Sequence, residues 1–92
     1  MRFLVAPTFD RLVKKLHRQQ KLDLDAAVRT IAADTTAGEA KVGDLAGVQV
    51  YKFKMTGQLC LLAYRVLDQH TIKLLMAGPH ENFYRDLKRL DA

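Results

Sequence analysis

The sequence predicts an α+β fold in the order N-terminal strand, helical hairpin, antiparallel three- to four-stranded meander sheet and short C-terminal helix, all in one domain over residues 1–92. Three observations carry this reading. Apolar residues recur at helical spacing through the first third of the chain, then change to strand-like runs between residues 47 and 77. The separators between those runs, MTGQ and LDQH, are too short for helical crossovers, so the strands must pair antiparallel. A last amphipathic stretch, with Phe83, Leu87 and Leu90 at i, i+4 and i+7, closes the chain.

The elements follow in order. RFLVA (2–6) reads as a short strand stopped by Pro7. Thr8 is expected to cap a helix whose apolar side is Phe9, Leu12, Val13 and Leu16, with Arg11, Lys14, Lys15 and Arg18 opposite. QQKL is the expected link to a second helix, capped by Asp23, with Asp25 in its first turn and Leu24, Ala27, Val28, Ile31 and Ala32 as its buried stripe. TTAG (35–38) should end it. GVQVYKFK (47–54), QLCLLAYRV (58–66) and TIKLLMA (71–77) are the meander, and Gly78-Pro79 leads to the terminal helix. Leu12, Val28, Ile31, Phe83 and Leu87 are the expected core residues.

Composition narrows the function. Fifteen Lys and Arg against ten Asp and Glu give a net charge of +5, which suits an anionic partner such as nucleic acid, an acidic protein segment or a membrane surface. The lone Cys60 lies in an apolar run and reads as a buried small hydrophobe. No Cys/His spacing suits structural zinc, and no cofactor is expected. No apolar segment is long enough for a signal peptide or a membrane span, so a cytoplasmic protein is expected.

Strand alternation sorts the side chains of residues 48–54. Gln49, Tyr51 and Phe53 share one face; Val48, Val50, Lys52 and Lys54 share the other. The two lysines therefore project side by side, roughly 6 to 7 Å apart. Arg65 lies near the end of the next strand, and the chain beyond the third strand brings His80 and Tyr84 into the same half of the molecule. These two are four residues apart and stack along one side of the terminal stretch. Lys88 and Arg89 have an ordinary explanation as cations at a helix C-terminus. His17 and His70 read as surface histidines with no chemistry assigned.

A helical hairpin followed by GDLAGVQVYKFK, a strand ending LLAYRV, and AGPHENFYRDLKR together resemble the RelE/ParE superfamily of bacterial type II toxins over nearly the whole chain. The resemblance implies a toxin held inactive by a cognate antitoxin in a hetero-oligomer, with an acidic amphipathic segment as the partner's binding element. Members on the RelE side cut mRNA in the ribosomal A site without a metal, whereas ParE-type members inhibit DNA gyrase. On the nuclease side it implies catalytic roles for Lys52, Lys54, His80 and Tyr84, and substrate binding by Arg65, Arg85 and Lys41. Leu61 stands where such nucleases commonly carry a phosphate-binding arginine, with Arg65 as the candidate substitute on the same strand face. Pro79 replaces basic residues that often follow the third-strand glycine. A third reading, a non-catalytic basic RNA-binding module, finds no RRM or KH signature to support it.

Overall fold

Pro7 ends β1 (Arg2–Val5) and opens α1 (Pro7–Lys15) in the computed structural model, which describes residues 1–91. Proline fits the first helical position because its missing N–H would have had no intrahelical partner there. Ala6, not Thr8, is the N-cap residue, and no side chain caps this helix. After Leu16 the chain enters α2 (Arg18–Ala33) through His17, whose Nδ1 accepts from Gln20 N while His17 N donates to Gln20 Oε1. This reciprocal pair satisfies two donors at the helix start. It moves the boundary six residues earlier than expected: QQKL is helix rather than link, and His17 has a structural role.

Asp23 accordingly lies inside α2 instead of capping it. Its carboxylate accepts from Gln19 Nε2 at 2.9 Å and from the backbone N–H of Thr56 at 2.7 Å. The second bond ties α2 to the tight turn between β3 (Val48–Met55) and β4 (Gln58–Asp68). Both central residues of that turn, Thr56 and Gly57, have positive φ, as a two-residue hairpin turn matched to strand twist requires. β5 (Thr71–Pro79) returns antiparallel to β4, and α3 (Phe83–Asp91) follows.

The sheet has five strands in the order β1-β5-β4-β3-β2. The N-terminal strand and the meander of β3, β4 and β5 are as expected; the pairing of β1 and the whole of β2 are additions. β1 pairs in parallel with β5, from Arg2 opposite Thr71 to Val5 opposite Leu74. β2 (Glu39–Ala40) adds two residues antiparallel to β3. So short a segment has no periodicity to announce it.

Each face of the sheet carries one core. On the first, Phe9, Leu24, Ala27 and Ile31 of the helical hairpin pack against Phe53, Cys60, Leu62 and Tyr64. On the other, Phe83 and Leu87 of α3 pack against Val48, Val50, Leu61, Ala63 and Leu75. Ile31, Phe83 and Leu87 are buried as expected, whereas Leu12 and Val28 are only partly covered. Cys60 is fully buried, and burial pushes its thiol pKa up, which keeps it unreactive.

Tyr64 locks the chain between α2 and β2. It is fully buried, its hydroxyl accepts from Gly38 N at 2.9 Å, and it lies 2.9 Å from the Thr35 carbonyl and 3.1 Å from Gln49 Oε1. A Cβ at Gly38 would come within 2.6 Å of that hydroxyl, so only glycine fits there. Tyr64→Phe should strand these partners and cost about 1–3 kcal/mol. In a domain this small that lowers the thermal midpoint by roughly 4–20 °C. Thermal unfolding followed by circular dichroism checks this; an unchanged midpoint would show that the loop is held otherwise.

Candidate active site

The α3 side of the sheet is apolar at its centre and charged at its margins. Lys52 and Lys54 project from β3 on this side and are exposed, as alternation requires. Their cross-strand partners on β4 are Leu61 and Leu59. Leu61 is fully buried in the core beneath α3, so a cation at that position would face apolar side chains rather than the open surface. At the end of β5, Gly78 pairs with Leu61 and Pro79 with Cys60. His80 therefore leaves the sheet level with Leu59 and Lys54, about two strand spacings, roughly 10 Å, from the latter.

The entry to α3 sets the geometry of His80 and Tyr84. Asn82 takes positive φ, its carbonyl accepts from Asp86 N, and Phe83 N donates to the His80 carbonyl. Asparagine tolerates this left-handed backbone better than most residues. The turn brings the His80 and Tyr84 rings to a centroid distance of 5.6 Å at 73°, an edge-on contact. Tyr84 also meets Phe83 edge-on at 5.6 Å. The i, i+4 pairing read from the sequence is thus realised, although His80 lies in the turn before the helix.

Lys41 completes this group from the other edge of the sheet. Its backbone N–H donates to the Val48 carbonyl, which extends β2, and its ammonium lies 5.1 Å from the centroid of the Tyr84 ring. Glu39 pairs with it at 3.2 Å. Interaction with Tyr84 is the main cause that raises the Lys41 pKa; partial burial opposes it and Glu39 adds to it. Lys41, Tyr84, Glu39, Asp44 and Lys88 line an open hollow of about 450 Å³. A neighbouring hollow of about 250 Å³ is lined by Lys52, Val50 and Tyr51, and Glu39 borders both. Glu39 was not singled out from the sequence, and Lys88 was read there only as a cation suited to a helix C-terminus. Lys88 had a signal, since it lies four residues from Tyr84 on one helix face; Glu39 joins only through strand pairing.

Two expected substrate-binding cations stand apart from this group. Arg65 pairs with Val48, four residues before Lys52 and so about 13 Å along the strand. Its Nη1 donates to the Ala46 carbonyl at 3.3 Å, and its guanidinium occupies the space that a side chain at Gly47 would need. Arg65 shares the face of Leu61, as read from the sequence, but it braces the turn before β3 rather than joining the lysine pair. Arg85 is exposed, contacts Asp86 at 3.4 Å and lines neither hollow.

The raised Lys41 pKa has a consequence for stability at high pH. The folded state holds its proton more tightly than the unfolded state, so the contribution is complete below the ordinary lysine value of 10.5 and is lost as pH rises through the higher folded value. Lys41→Met should therefore flatten the fall in stability above about pH 10. Urea unfolding between neutral pH and that range measures this; identical slopes in both proteins would remove the interaction with Tyr84 from consideration.

Comparison with known proteins agrees with this architecture. A chain of the intact Escherichia coli RelBE toxin–antitoxin complex matches with a TM-score of 0.66 at 15% identity, over 85% of this chain and 94% of that one. A double arginine-to-alanine mutant of E. coli RelE in the free state matches with a TM-score of 0.70 at 13% identity, over 98% and 92%. A conserved hypothetical protein from Helicobacter pylori matches with a TM-score of 0.52 at 15% identity, over 88% and 96%. At these identities the likeness establishes the RelE fold. No curated protein matches the sequence. The family model for the ParE-like toxin of type II bacterial toxin–antitoxin systems matches residues 3–88, and the chain therefore belongs to that family of RelE/ParE toxins.

Proposed function

We propose that this toxin is a metal-independent endoribonuclease that cuts mRNA on the ribosome and is held inactive by a cognate antitoxin. The observation that carries the proposal is the grouping on one side of the sheet: exposed Lys52 and Lys54, the touching rings of His80 and Tyr84, and Lys41 over the tyrosine. An inhibitor that works only by binding a protein has no need to collect a titratable imidazole, an aromatic platform and several cations.

The chemistry asked of this group is attack by a ribose 2′-hydroxyl on the adjacent phosphate. The new O–P bond forms as the bond to the leaving 5′-oxygen breaks, which leaves a 2′,3′-cyclic phosphate. A base removes the hydroxyl proton, an acid protonates the leaving oxygen, and cations stabilise the charge that grows on the phosphorane. Lys52 and Lys54 are assigned the last role. His80 is assigned proton transfer, since imidazole changes charge near neutral pH. Tyr84 is assigned stacking on a base, with Lys41 and Lys88 beside it for phosphate. The net charge of +5 and the E. coli RelBE likeness support an antitoxin with an acidic amphipathic segment.

A second reading is a ParE-like gyrase inhibitor without nuclease activity. It is favoured by the ParE-like description of the family and by the buried Leu61, which takes a cation away from the lysine pair. Mapping mRNA 5′ ends after induction, beside a gyrase supercoiling assay, separates the two. Under the nuclease reading, Lys52→Ala and Lys54→Ala should each slow cleavage by roughly 10- to 1000-fold while leaving the fold intact. Wild-type toxicity in a folded double variant would sink the assignment. His80→Gln should slow cleavage by about 100-fold or more and change its pH profile. Tyr84→Phe should cost less than Tyr84→Ala, because the ring carries the stacking energy. An unchanged rate and pH profile in His80→Gln would return this histidine to a structural role.

A further inference from the structure

The excess charge of this protein is concentrated in one place. Residues 7–21 hold five cations, Arg11, Lys14, Lys15, Arg18 and Lys21, against the single carboxylate Asp10, a net +4 of the +5 carried by the whole chain. Lys14 pairs with Asp10 at 3.3 Å. Arg11, Lys15, Arg18 and Lys21 are exposed and form no ion pair among the described residues. The two-residue link Leu16–His17 keeps Lys15 and Arg18 within about 11 Å at their Cα atoms. The cations thus gather at one corner, where α1 ends and α2 begins.

Helix electrostatics explain only half of this corner. Lys14 and Lys15 sit in the last turn of α1, where cations complement the dipole. Arg18 and Lys21 do the opposite. They are the first and fourth residues of α2, at its positive end, and no acidic residue occupies its first turn. They also stand beside the lysines of α1. A folded chain gains nothing internal from that arrangement, and such local conflicts concentrate where a surface serves a partner.

We propose that the α1–α2 corner is a second anion-binding surface that grips the phosphate backbone of double-helical RNA. It lies across the sheet from the candidate active site, because α1 and α2 cover one face and α3 the other. Its charges are mounted on two rigid helices, which suits the regular phosphate spacing of a duplex. A single-stranded partner would need aromatic platforms, and the one aromatic residue in this segment, Phe9, is buried in the core. The choice of RNA as the polyanion rests on the function proposed above. The surface would anchor the toxin on structured RNA while the other face handles the strand to be cut.

The test measures binding of a blunt, fully paired RNA duplex as a function of salt. The variant is Arg11→Gln, Lys15→Gln, Arg18→Gln and Lys21→Gln together. The slope of log affinity against log salt should fall by about 3 to 4, and affinity near 0.1 M salt by about 100- to 1000-fold. Arg18→Gln with Lys21→Gln should at the same time raise the melting temperature by about 1–4 °C, since repulsion at the start of α2 is relieved. An unchanged salt slope overturns the proposal, and so does a fall in melting temperature that accompanies lost binding. An equal loss on duplex DNA overturns the choice of RNA. Lys52→Ala with Lys54→Ala should leave duplex binding nearly intact. Absence of mRNA cleavage by the wild type, with duplex binding as expected, would sink the nuclease reading and support the surface.

Discussion

Most of this structure depends on β4 being buried on both faces. Cys60, Leu61, Leu62, Ala63 and Tyr64 are all fully covered, alternately by the helical hairpin and by α3. A strand covered on both sides reads as a continuous apolar run, which is how residues 59–63 appear in the sequence. Covering it needs helices on opposite faces, hence a hairpin before the meander and a helix after it. The one polar tip in the run, the Tyr64 hydroxyl, is tolerated because Thr35, Gly38 and Gln49 surround it with partners.

The same constraint decides where charged chemistry can sit. A cation in the middle of β4 would be desolvated under Phe83 and Leu87, so the position of Leu61 is closed to it. Charged side chains are displaced to the exposed end of β3, to the turn after β5 and to the strand edge at Lys41. That displacement accounts for a site built from margins: lysines from one strand, a histidine from a turn, a tyrosine from a helix and a lysine from the edge. Arg65 is also on β4, but near its end, where the Ala46 carbonyl is within reach.

Charge on this molecule is divided between two faces for different physical reasons. On the α3 side, Lys41 is matched by Glu39 and the Tyr84 ring, so its charge is stabilised within the fold. At the α1–α2 corner the cations are mutually repulsive, and two of them oppose a helix dipole. The first arrangement adds to stability; the second lowers it.

Sequence alone determined the fold class, the meander, the shared face of Lys52 and Lys54 and the proximity of His80 to Tyr84. Each follows from short-range periodicity: two residues per strand repeat, or one helical turn. The inert character of Cys60 was legible for the same reason, from its place in an apolar run. Tertiary structure alone decided the parallel pairing of β1 with β5, the existence of β2, the arrival of Lys41 over Tyr84 and the separation of Arg65 from the lysine pair. It also decided that Asp23 serves the β3–β4 turn across 33 residues of chain. The start of α2 lies between these cases. The capping pair of His17 and Gln20 is local, but histidine is an uncommon cap and the polar QQK that follows resembles a link. What escaped the sequence were contacts between segments far apart in the chain, whose partners are chosen by packing against a shared sheet and not by any repeat in their own residues.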